Sequence, residues 1–270
     1  MNTQDEILPL VDSHCHLNRL DLSVFDENLA NALDAARKVG VQHFLTVSVE
    51  LEDVHELKMI ASSHPDVSYS VGWHPTSVLV RDISSWLLEQ GAAKQCVALG
   101  ETGLDYYHLE QSQSKDVQQA LLRQHIAAAR QLKKPLIIHT RQSADDTMDI
   151  LKQEKACDVG GVMHCFTEDW ATAKRALDLG FMISMSGIVT FKNAKIVHEV
   201  AQKTPMDRLL IETDSPYLAP VPFRGKSNHP QLVRFVAMTI ASLRGLSAEE
   251  VAQTTTDNFK RMFLGHSLNA

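Results

Sequence analysis

Histidine and carboxylate residues recur at one kind of position in this sequence, directly after a short apolar stretch. Ile137-Ile138 leads into His139, and Val162-Met163 leads into His164. The other residues that follow such stretches are His14, His16, His74, Glu101, Glu212 and Asp214. A buried strand that ends in polar side chains has this pattern. Because imidazole and carboxylate groups together suit Zn²⁺, Mn²⁺ or Mg²⁺, the pattern predicts a divalent metal centre.

The first candidate ligands are His14 and His16, which are separated by Cys15. Side chains alternate along a strand, so both imidazoles point to one side and the thiol points to the other. Cys165 is interpreted in the same way, as a packing residue. With 13 histidines in 270 residues, chance alone gives roughly 0.6 such pairs, so the spacing does not by itself identify ligands. Asp12 either orients an imidazole or is a turn residue at the strand end.

His139 and His164 end two further strands. A single histidine after an apolar stretch is more often a hydrogen-bonded core residue than a ligand, but four converging imidazoles need a metal ion or carboxylates as partners. Glu101 either bridges two cations or pairs with a histidine, and Asp214 could bind metal and accept a proton from water. Six ligands exceed one tetrahedral site. Two ions about 3.5–4 Å apart, with a water between them as nucleophile, are therefore expected.

Four other residues are candidates for contacts with a substrate. His74 either contacts substrate or is a structural histidine at a strand end, and Glu212 has the period-two spacing to Asp214 that would turn one or both toward the site. Arg141 and Arg224 could hold phosphate oxygens. Surface ion pairing is the ordinary alternative for both arginines.

The elements that must position these residues alternate between strand and helix along the whole chain. Strands are predicted near 8–13, 41–47, 67–71, 95–99, 136–138, 161–163, 181–184 and 209–211. Helices are predicted near 23–39, 51–63, 82–93, 114–132, 144–155, 169–179, 194–203, 231–243 and 248–263, with a loop at 102–113. This order predicts an α/β protein, a (β/α)8 TIM barrel with its metal site at the C-terminal face of the strands. A doubly wound sheet is the alternative, but it would gather ligands at one switch point.

Composition narrows the function classes. The 270 residues contain no Pro-, Gly- or Ser-rich linker, so one domain over 1–270 is expected. A net charge of −7 argues against nonspecific wrapping of duplex DNA but not against a nuclease, because metal ions in a cleft hold phosphate locally. We expect no membrane span, no signal peptide and, with four cysteines lacking CxxC spacing, a reduced cytoplasmic protein. No GxGxxG or P-loop follows a strand.

Seven stretches, taken together, carry a resemblance. They are Asp12-Ser13-His14-Cys15-His16-Leu17, Gly72-Trp73-His74-Pro75, Gly100-Glu101-Thr102-Gly103-Leu104-Asp105, Ile138-His139-Thr140-Arg141, His164-Cys165-Phe166, Ser186-Gly187-Ile188-Val189-Thr190-Phe191 and Glu212-Thr213-Asp214-Ser215-Pro216-Tyr217-Leu218-Ala219-Pro220. In this combination the sequence resembles the TatD family of metal-dependent deoxyribonucleases and hydrolases, within the amidohydrolase-like barrels. It departs from the family pattern at Phe223 and His229, and these two differences bear on the substrate preference.

The resemblance implies a TIM barrel that hydrolyses DNA phosphodiester bonds, often exonucleolytically, on single strands or ends. It implies that one ion is held by His14, His16 and Asp214. The other would be held by His139 and His164, and Glu101 would bridge the two. His74 and Glu212 would lie close to the substrate. No obligate protein partner is indicated.

Three hypotheses follow. The first is a two-metal hydrolase acting on DNA, with Asp214 and Glu101 as catalytic residues and Arg141 and Arg224 as phosphate contacts. The second is a hydrolase of another ester or amide, of a small molecule or an aminoacyl-nucleic acid, on the same metal centre, which the charge of −7 slightly favours. The third is a non-catalytic metal-binding or interaction protein. The absence of one of the expected metal ligands from the sequence would indicate it, and none is missing.

Overall fold

The structure is a computed structural model that describes residues 7–77, 82–109 and 114–265. Eight parallel strands within these ranges form one sheet in sequence order. They are β1 Leu10–Cys15, β2 Val41–Thr46, β3 Val67–Val71, β4 Cys96–Asp105, β5 Leu136–Arg141, β6 Gly161–Met163, β7 Phe181–Met185 and β8 Leu209–Ile211. The sheet curves into a nearly closed TIM barrel, which confirms the predicted fold class.

Helices follow the strands and cover the outside of the barrel. They are α1 Leu29–Lys38, α2 Asp53–Ser63, α3 Ser84–Gly91, α4 Lys115–Leu132, α5 Ala144–Gln153, α6 Trp170–Asp178, α7 Lys195–Lys203, α8 Val233–Arg244 and α9 Ala248–Phe263. Short 3-10 turns occur at Leu17–Arg19, Ser23–Phe25, Ala156–Asp158, Gly187–Thr190, Met206–Arg208 and Pro230–Leu232. Within the described ranges, no helix is both long and apolar enough to cross a membrane.

The interior of the barrel is apolar and is closed at one end by α9. Its side chains include Val11, Leu45, Val47, Val97, Ala98, Ile137, Val162, Met182 and Leu210. Phe259 and Phe263 of α9 pack against this cluster. Thr256 Oγ1 donates to the carbonyl of Pro9 (2.6 Å) and Asn258 Nδ2 to that of Met206 (2.7 Å), two residues that precede β1 and β8. Because α9 covers the N-terminal ends of the strands, their C-terminal ends are the open face.

Strand β4 is longer than the sequence predicted. It continues to Asp105, so the predicted loop at 102–113 is wrong for its first residues. Pairing with β5 passes from Leu99–Leu136 to Thr102–Ile138, which inserts one extra residue into β4. Beyond this bulge Gly103 pairs with His139, and a Cβ atom on Gly103 would overlap the carbonyl of that histidine. The glycine therefore allows β4 to stay paired where a side chain would separate the strands.

Two helix starts test the local predictions. The helix predicted from residue 23 begins only at Leu29, because Asp26 adopts a left-handed conformation (φ 55°) and the side chain of Asn28 accepts the N–H of Ala30 at 2.9 Å. The start of α9 has a capping box. Ser247 Oγ accepts the N–H of Glu250 (3.1 Å), and the carboxylate of Glu250 accepts the N–H of Ser247 (2.9 Å).

Strands β1 and β8 stand at the two ends of the strand order and meet at a seam. Near the open face the seam is closed by two backbone hydrogen bonds, from Asp214 N to His14 O (2.9 Å) and from His16 N to Ser215 O (2.8 Å). Within the barrel, Ser13 Oγ donates to the carbonyl of Ile211 at 2.9 Å. The first candidate ligands therefore lie directly on the seam.

Candidate metal centre

The open face of the barrel contains a cavity of about 750 Å³. Six candidate side chains form its floor, and we refer to them as the floor residues: His14, His16, Glu101, His139, His164 and Asp214. All of them except His14 line the cavity, and His14 lies immediately beneath, 1% exposed. The structure therefore brings together the complete ligand set that the sequence predicted.

Glu101 occupies the centre of the floor and is 3% exposed. Four imidazoles surround its carboxylate, with Oε1 lying 2.7 Å from His164 Nε2, 3.1 Å from His139 Nδ1 and 3.2 Å from His74 Nε2, and Oε2 lying 3.4 Å from His14 Nε2. Burial alone would raise the pKa of Glu101, but the surrounding imidazoles hold that pKa well below its usual value. Glu101 is therefore an anion with donor atoms on several sides, as a bridging ligand requires.

His14, His16 and Asp214 form one compact group of potential ligands. The Nε2 atoms of the two histidines are 3.4 Å apart, and Asp214 Oδ1 lies 3.3 Å from His16 Nε2. His16 Nδ1 is 3.1 Å from the carbonyl of Val47, which can only accept, so Nδ1 carries the hydrogen of the neutral ring. A lone pair of Nε2 then faces an anionic oxygen, and a cation must lie between them. The donor set fits a divalent metal ion.

A proton is the alternative occupant of this position. Burial lowers the pKa of His16, but the hydrogen bond and charge of Asp214 raise it above its usual value. The same effect acts on His164, where Glu101 raises the pKa well above its usual value against the effect of burial. The carboxylates of the floor therefore attract positive charge, whether it is supplied by protons or by metal ions.

Two further groups of potential ligands each contain one of the two histidines predicted to hold the second ion. One contains His74, Glu101 and His139, and the other contains His14, His164 and Glu212. The ring of His164 stacks on that of His14, with centroids 4.0 Å apart. The sequence assigned His139 and His164 to this ion. Both contact Glu101 Oε1, so they share the oxygen that would bridge.

His74 differs from the other imidazoles in its hydrogen-bonding. The backbone N–H of Thr76 donates to His74 Nδ1 at 3.2 Å, so the hydrogen of the neutral ring is on Nε2, directed at Glu101. In this tautomer Nε2 is a donor and not a free ligand atom. The position and tautomer agree with the predicted contact to substrate better than with metal ligation.

Glu212 lies beside His164, outside the described lining of the cavity. It is 1% exposed. Its Oε1 accepts the N–H of Cys165 (2.7 Å) and lies 3.4 Å from His164 Nδ1. The sequence predicted that one or both of Glu212 and Asp214 turn toward the site, and Asp214 is the one that lines the cavity. Strand β8 ends at Ile211 and Asp214 has a left-handed φ of 56°, so strict alternation does not extend over this pair. Glu212 lies against the ring of His164, and its contact with substrate stays a prediction.

The two cysteines next to ligand candidates have different environments. Cys15 is fully buried in the outer core, as predicted. Cys165 lines the cavity, contrary to prediction, because its positive φ of 43° interrupts the strand alternation. Its Sγ lies 3.2 Å from Ser186 Oγ. Burial raises the pKa of the Cys165 thiol well above its usual value, so the thiol remains neutral.

The two arginines that were predicted to contact phosphate lie in different positions relative to the cavity. Arg141 lines the cavity, and its guanidinium carbon lies 4.2 Å from the centre of the Tyr107 ring. Arg224 is outside the described lining, with its guanidinium 4.2 Å from the ring of Phe191. The structure therefore supports a contact by Arg141 and does not support one by Arg224.

Asp12 holds the loop after β8. Its carboxylate accepts the backbone N–H of Thr213 at 2.8 Å and lies 2.5 Å from the hydroxyl of the same residue. No described hydrogen bond joins it to an imidazole ring, so the predicted orienting contact is not observed. Burial raises the pKa of Asp12 to about 8.

Three residues near the floor were not assigned roles from the sequence. Asp105 contacts His139 Nε2 at 3.1 Å, and Arg19 and Tyr217 line the cavity. Asp105 lies four residues after Glu101, which is a signal for the same strand face if β4 is taken to continue. Arg19 lies in a 3-10 turn, where no periodicity predicts its direction. We refer to the cavity-lining residues Arg19, Glu50, Arg141 and Tyr217 as the rim residues.

Comparison with known sequences gives one consistent family. A model described as TatD related DNase matches residues 11–264. The metal-dependent hydrolase YcfH of Escherichia coli (strain K12) is 47% identical over 258 residues, covering 94% of this chain and 95% of its own. The metal-dependent hydrolase YabD of Bacillus subtilis (strain 168) is 40% identical over 256 residues, covering 94% and 98%.

Comparison with solved structures agrees. YjjV, a TatD homolog from Escherichia coli K12, has 28% sequence identity and a TM-score of 0.83, with 96% of this chain and 99% of that chain covered. A TatD family hydrolase from Entamoeba histolytica, at 21% identity, has the same fold with a TM-score of 0.81, covering 95% and 98%. With a barrel whose floor gathers imidazoles and carboxylates, this chain belongs to the TatD family and is a metal-dependent hydrolase.

Proposed function

We propose that this protein, as a single domain over residues 1–270, hydrolyses phosphodiester bonds of DNA at single strands or ends, using two divalent ions (Mg²⁺, Zn²⁺ or Mn²⁺). The observation that carries the proposal is the floor itself. Glu101 is surrounded by four imidazoles, Asp214 lies beside them, and the cavity above admits a substrate. In this proposal His14, His16 and Asp214 hold one ion. His139 and His164 hold the other, and Glu101 is shared.

Ions bound in this way lower the pKa of water and offset the charge that develops on a phosphate during hydrolysis. The contribution of the chain is to orient the substrate and to take up a proton. Asp214 lines the cavity, and His16 and His14 lower its pKa against the effect of burial, so it is ionised and can accept a proton. His74 lines the cavity beside Glu101 and is the predicted imidazole contact to the substrate.

The rim residues support a nucleic-acid substrate. The guanidinium groups of Arg19 and Arg141 face the cavity and can form charge-assisted hydrogen bonds with phosphate oxygens. Tyr217 also lines the cavity, is 51% exposed, and offers a ring on which a base can stack. Two arginine side chains beside an aromatic ring can bind a nucleotide even on a protein with a net charge of −7, because these contacts are local.

A second candidate is hydrolysis of another ester or amide on the same centre. Two observations favour it: the net charge of −7, and the carboxylate of Glu50, whose Oε2 lies 3.6 Å from Arg19 Nη2 and weakens its attraction for phosphate. The fold does not separate the candidates. Barrels of similar shape include an N-acetyl-D-glucosamine-6-phosphate deacetylase from Mycobacterium smegmatis, with a TM-score of 0.57 at 13% identity.

The test combines a substrate panel with His139→Ala. Metal-free protein is titrated with Mg²⁺, Mn²⁺ or Zn²⁺ and assayed on labelled single-stranded and duplex oligonucleotides and on a set of small esters and amides. We expect metal-dependent cleavage of DNA by the wild type and its loss in His139→Ala, while that variant stays folded. His43→Ala is the matched control, since this histidine lies away from the floor, where it contacts Ser68 and packs on Phe259 of α9.

Unchanged turnover in His139→Ala would contradict the ligand assignment. Metal-dependent cleavage of esters or amides without cleavage of DNA would establish the second candidate. Binding of metal with no hydrolysis of any substrate would instead favour a non-catalytic protein.

A further inference from the structure

Asp105 is a buried carboxylate, 1% exposed, that has no part in the chemistry proposed above. Its Oδ2 lies 3.1 Å from His139 Nε2 and 2.9 Å from His108 Nδ1, and its Oδ1 accepts the backbone N–H of His108 at 3.0 Å. The backbone of Asp105 is also held on both sides by the amide of Gln118, at 2.8 and 3.0 Å. Asp105 is therefore fixed in position before any ligand binds.

The ring of His139 lies between two carboxylates that come from the same strand. Nδ1 is 3.1 Å from Glu101 Oε1, and Nε2 is 3.1 Å from Asp105 Oδ2. A neutral imidazole carries only one hydrogen, so one nitrogen must donate to a carboxylate while the other presents a lone pair. The arrangement leaves two tautomers, and only one of them matches the metal centre.

The surroundings of the two carboxylates distinguish the tautomers. The Nε2 atoms of His164 and His14 also lie beside the Glu101 carboxylate, at 2.7 and 3.4 Å, so a lone pair on His139 Nδ1 would join other potential ligand atoms there. Asp105 belongs to none of the groups of potential metal ligands in the described part of the chain. Its contacts are instead those of a hydrogen-bond acceptor. The hydrogen of His139 therefore belongs on Nε2, and Nδ1 is the ligand atom.

We infer that Asp105 is a positioning residue, which accepts the Nε2–H of His139 and so holds Nδ1 toward Glu101 and the second ion. Carboxylates that bind the far nitrogen of a metal-ligating histidine fix its tautomer and raise its basicity. Gly103 of β4 pairs with His139, so Glu101 and Asp105, two residues to either side of this glycine, reach opposite nitrogens of one ring. The inference rests on the metal centre of the proposed function, but not on DNA as its substrate.

Metal binding tests the inference without any substrate. Chelator-treated wild type, Asp105→Asn and the control Asp146→Asn are titrated with Zn²⁺ in a calorimeter. Asp146 contacts Tyr106 and Gln119 and no floor residue among the described hydrogen bonds, so its variant should bind as the wild type does. In Asp105→Asn we expect one of two binding steps to weaken about 10–100-fold and the other to stay unchanged. Wild-type affinity in both steps would overturn the inference.

A measurement on the wild type keeps the inference testable if Asp105→Asn does not fold. Protein labelled with ¹⁵N-histidine is compared with and without Zn²⁺ by long-range ¹H–¹⁵N correlation, and the His139 signals are identified by their loss in His139→Ala. We expect a hydrogen on Nε2 and a zinc-shifted Nδ1. A hydrogen on Nδ1 with a zinc-shifted Nε2 would overturn the inference.

The same spectra separate this inference from the proposed function. Zinc shifts at His14 and His16 with none at His139 would overturn the role of Asp105 and leave the first ion in place. Conversely, the expected His139 spectrum together with an absence of DNA cleavage would overturn only the proposed substrate and would support the role of Asp105.

Discussion

The floor residues and the rim residues of the cavity are held in place in different ways. On the floor, rings and carboxylates extend from strand ends and lie within hydrogen-bonding distance of each other, as His164 and Glu101 do at 2.7 Å. On the rim, Arg141 is exposed and rests on a tyrosine that is itself 56% exposed. The floor is thus a set of largely buried side chains that contact one another, whereas the rim side chains are more exposed to solvent. Substitutions on the two levels should therefore have different consequences.

The largest contrast is expected between two carboxylates, one from each level. Glu101→Gln removes the central anion from four imidazoles, and Glu50→Gln removes a rim carboxylate whose side chain is 47% exposed. We expect Glu101→Gln to reduce kcat/KM at least about 100-fold, since even outer partners of metal ligands cost 10–100-fold. Glu50→Gln should change it less than about threefold. Similar losses of kcat/KM in steady-state assays of both variants would contradict the expected difference between the floor and the rim residues.

The second prediction concerns pH and uses the pKa shifts of the floor. Burial lowers the pKa of His16 and His164, but Asp214 and Glu101 raise it above the usual 6.5. These histidines therefore stabilise the metal-free fold below pH 6.5, and the contribution is lost as pH rises through the folded pKa. Metal ions need the deprotonated rings, so their stabilising effect increases over the same range.

The rise in melting temperature on adding Zn²⁺ should accordingly be larger at pH 8 than at pH 6. Differential scanning fluorimetry of chelator-treated protein measures it, with Arg141→Ala as a rim control that should reproduce the wild-type pH dependence. A zinc effect that is equal at both pH values would mean that the ion does not compete with protons on the floor.

A smaller effect is expected from the two arginines. Arg141→Ala should reduce kcat/KM on DNA about tenfold, mainly through KM, because one charge-assisted hydrogen bond contributes about 1.5–3 kcal/mol. Arg224→Ala should stay within about twofold, as is usual for surface substitutions. Initial rates at several salt concentrations measure both, and the salt dependence should decrease only in Arg141→Ala. A larger loss of kcat/KM in Arg224→Ala than in Arg141→Ala would indicate that Arg224 contacts the substrate.

The smallest effect is expected at Cys165, which lines the cavity without belonging to the floor residues. Burial keeps the pKa of its thiol high, so the thiol is neither a nucleophile nor an anionic ligand at neutral pH. Cys165→Ala should keep kcat/KM within about twofold. Alkylation by iodoacetamide at pH 7 should be slower than at the exposed Cys157. Rapid alkylation of Cys165 with loss of activity would indicate that this thiol takes part in the chemistry at the floor residues.

The floor could be predicted from the sequence because each of its residues closely follows an apolar strand. Alternation failed at Cys165, where the backbone leaves the strand conformation, and it could not decide between Glu212 and Asp214 for the same reason. Asp105 was missed because a loop was assumed where β4 continues beyond its bulge. Arg19 was missed because its direction is set by Asp53, which it contacts at 3.0 and 3.1 Å and which lies in another element. The cytoplasmic location stays a prediction.

The seam between β1 and β8 gives the metal centre a second consequence, for the barrel itself. Across this seam Asp12 bonds to Thr213, 201 positions later in the chain. An ion held by His14, His16 and Asp214 would act there as a reversible cross-link between the first strand and the last, closing a loop that is most of the protein. Loss of the ion would then affect the closure of the barrel as well as catalysis. It would remove one link across the seam and leave the two backbone hydrogen bonds to close it, so the amides of His16 and Asp214 should exchange with solvent faster in metal-free protein.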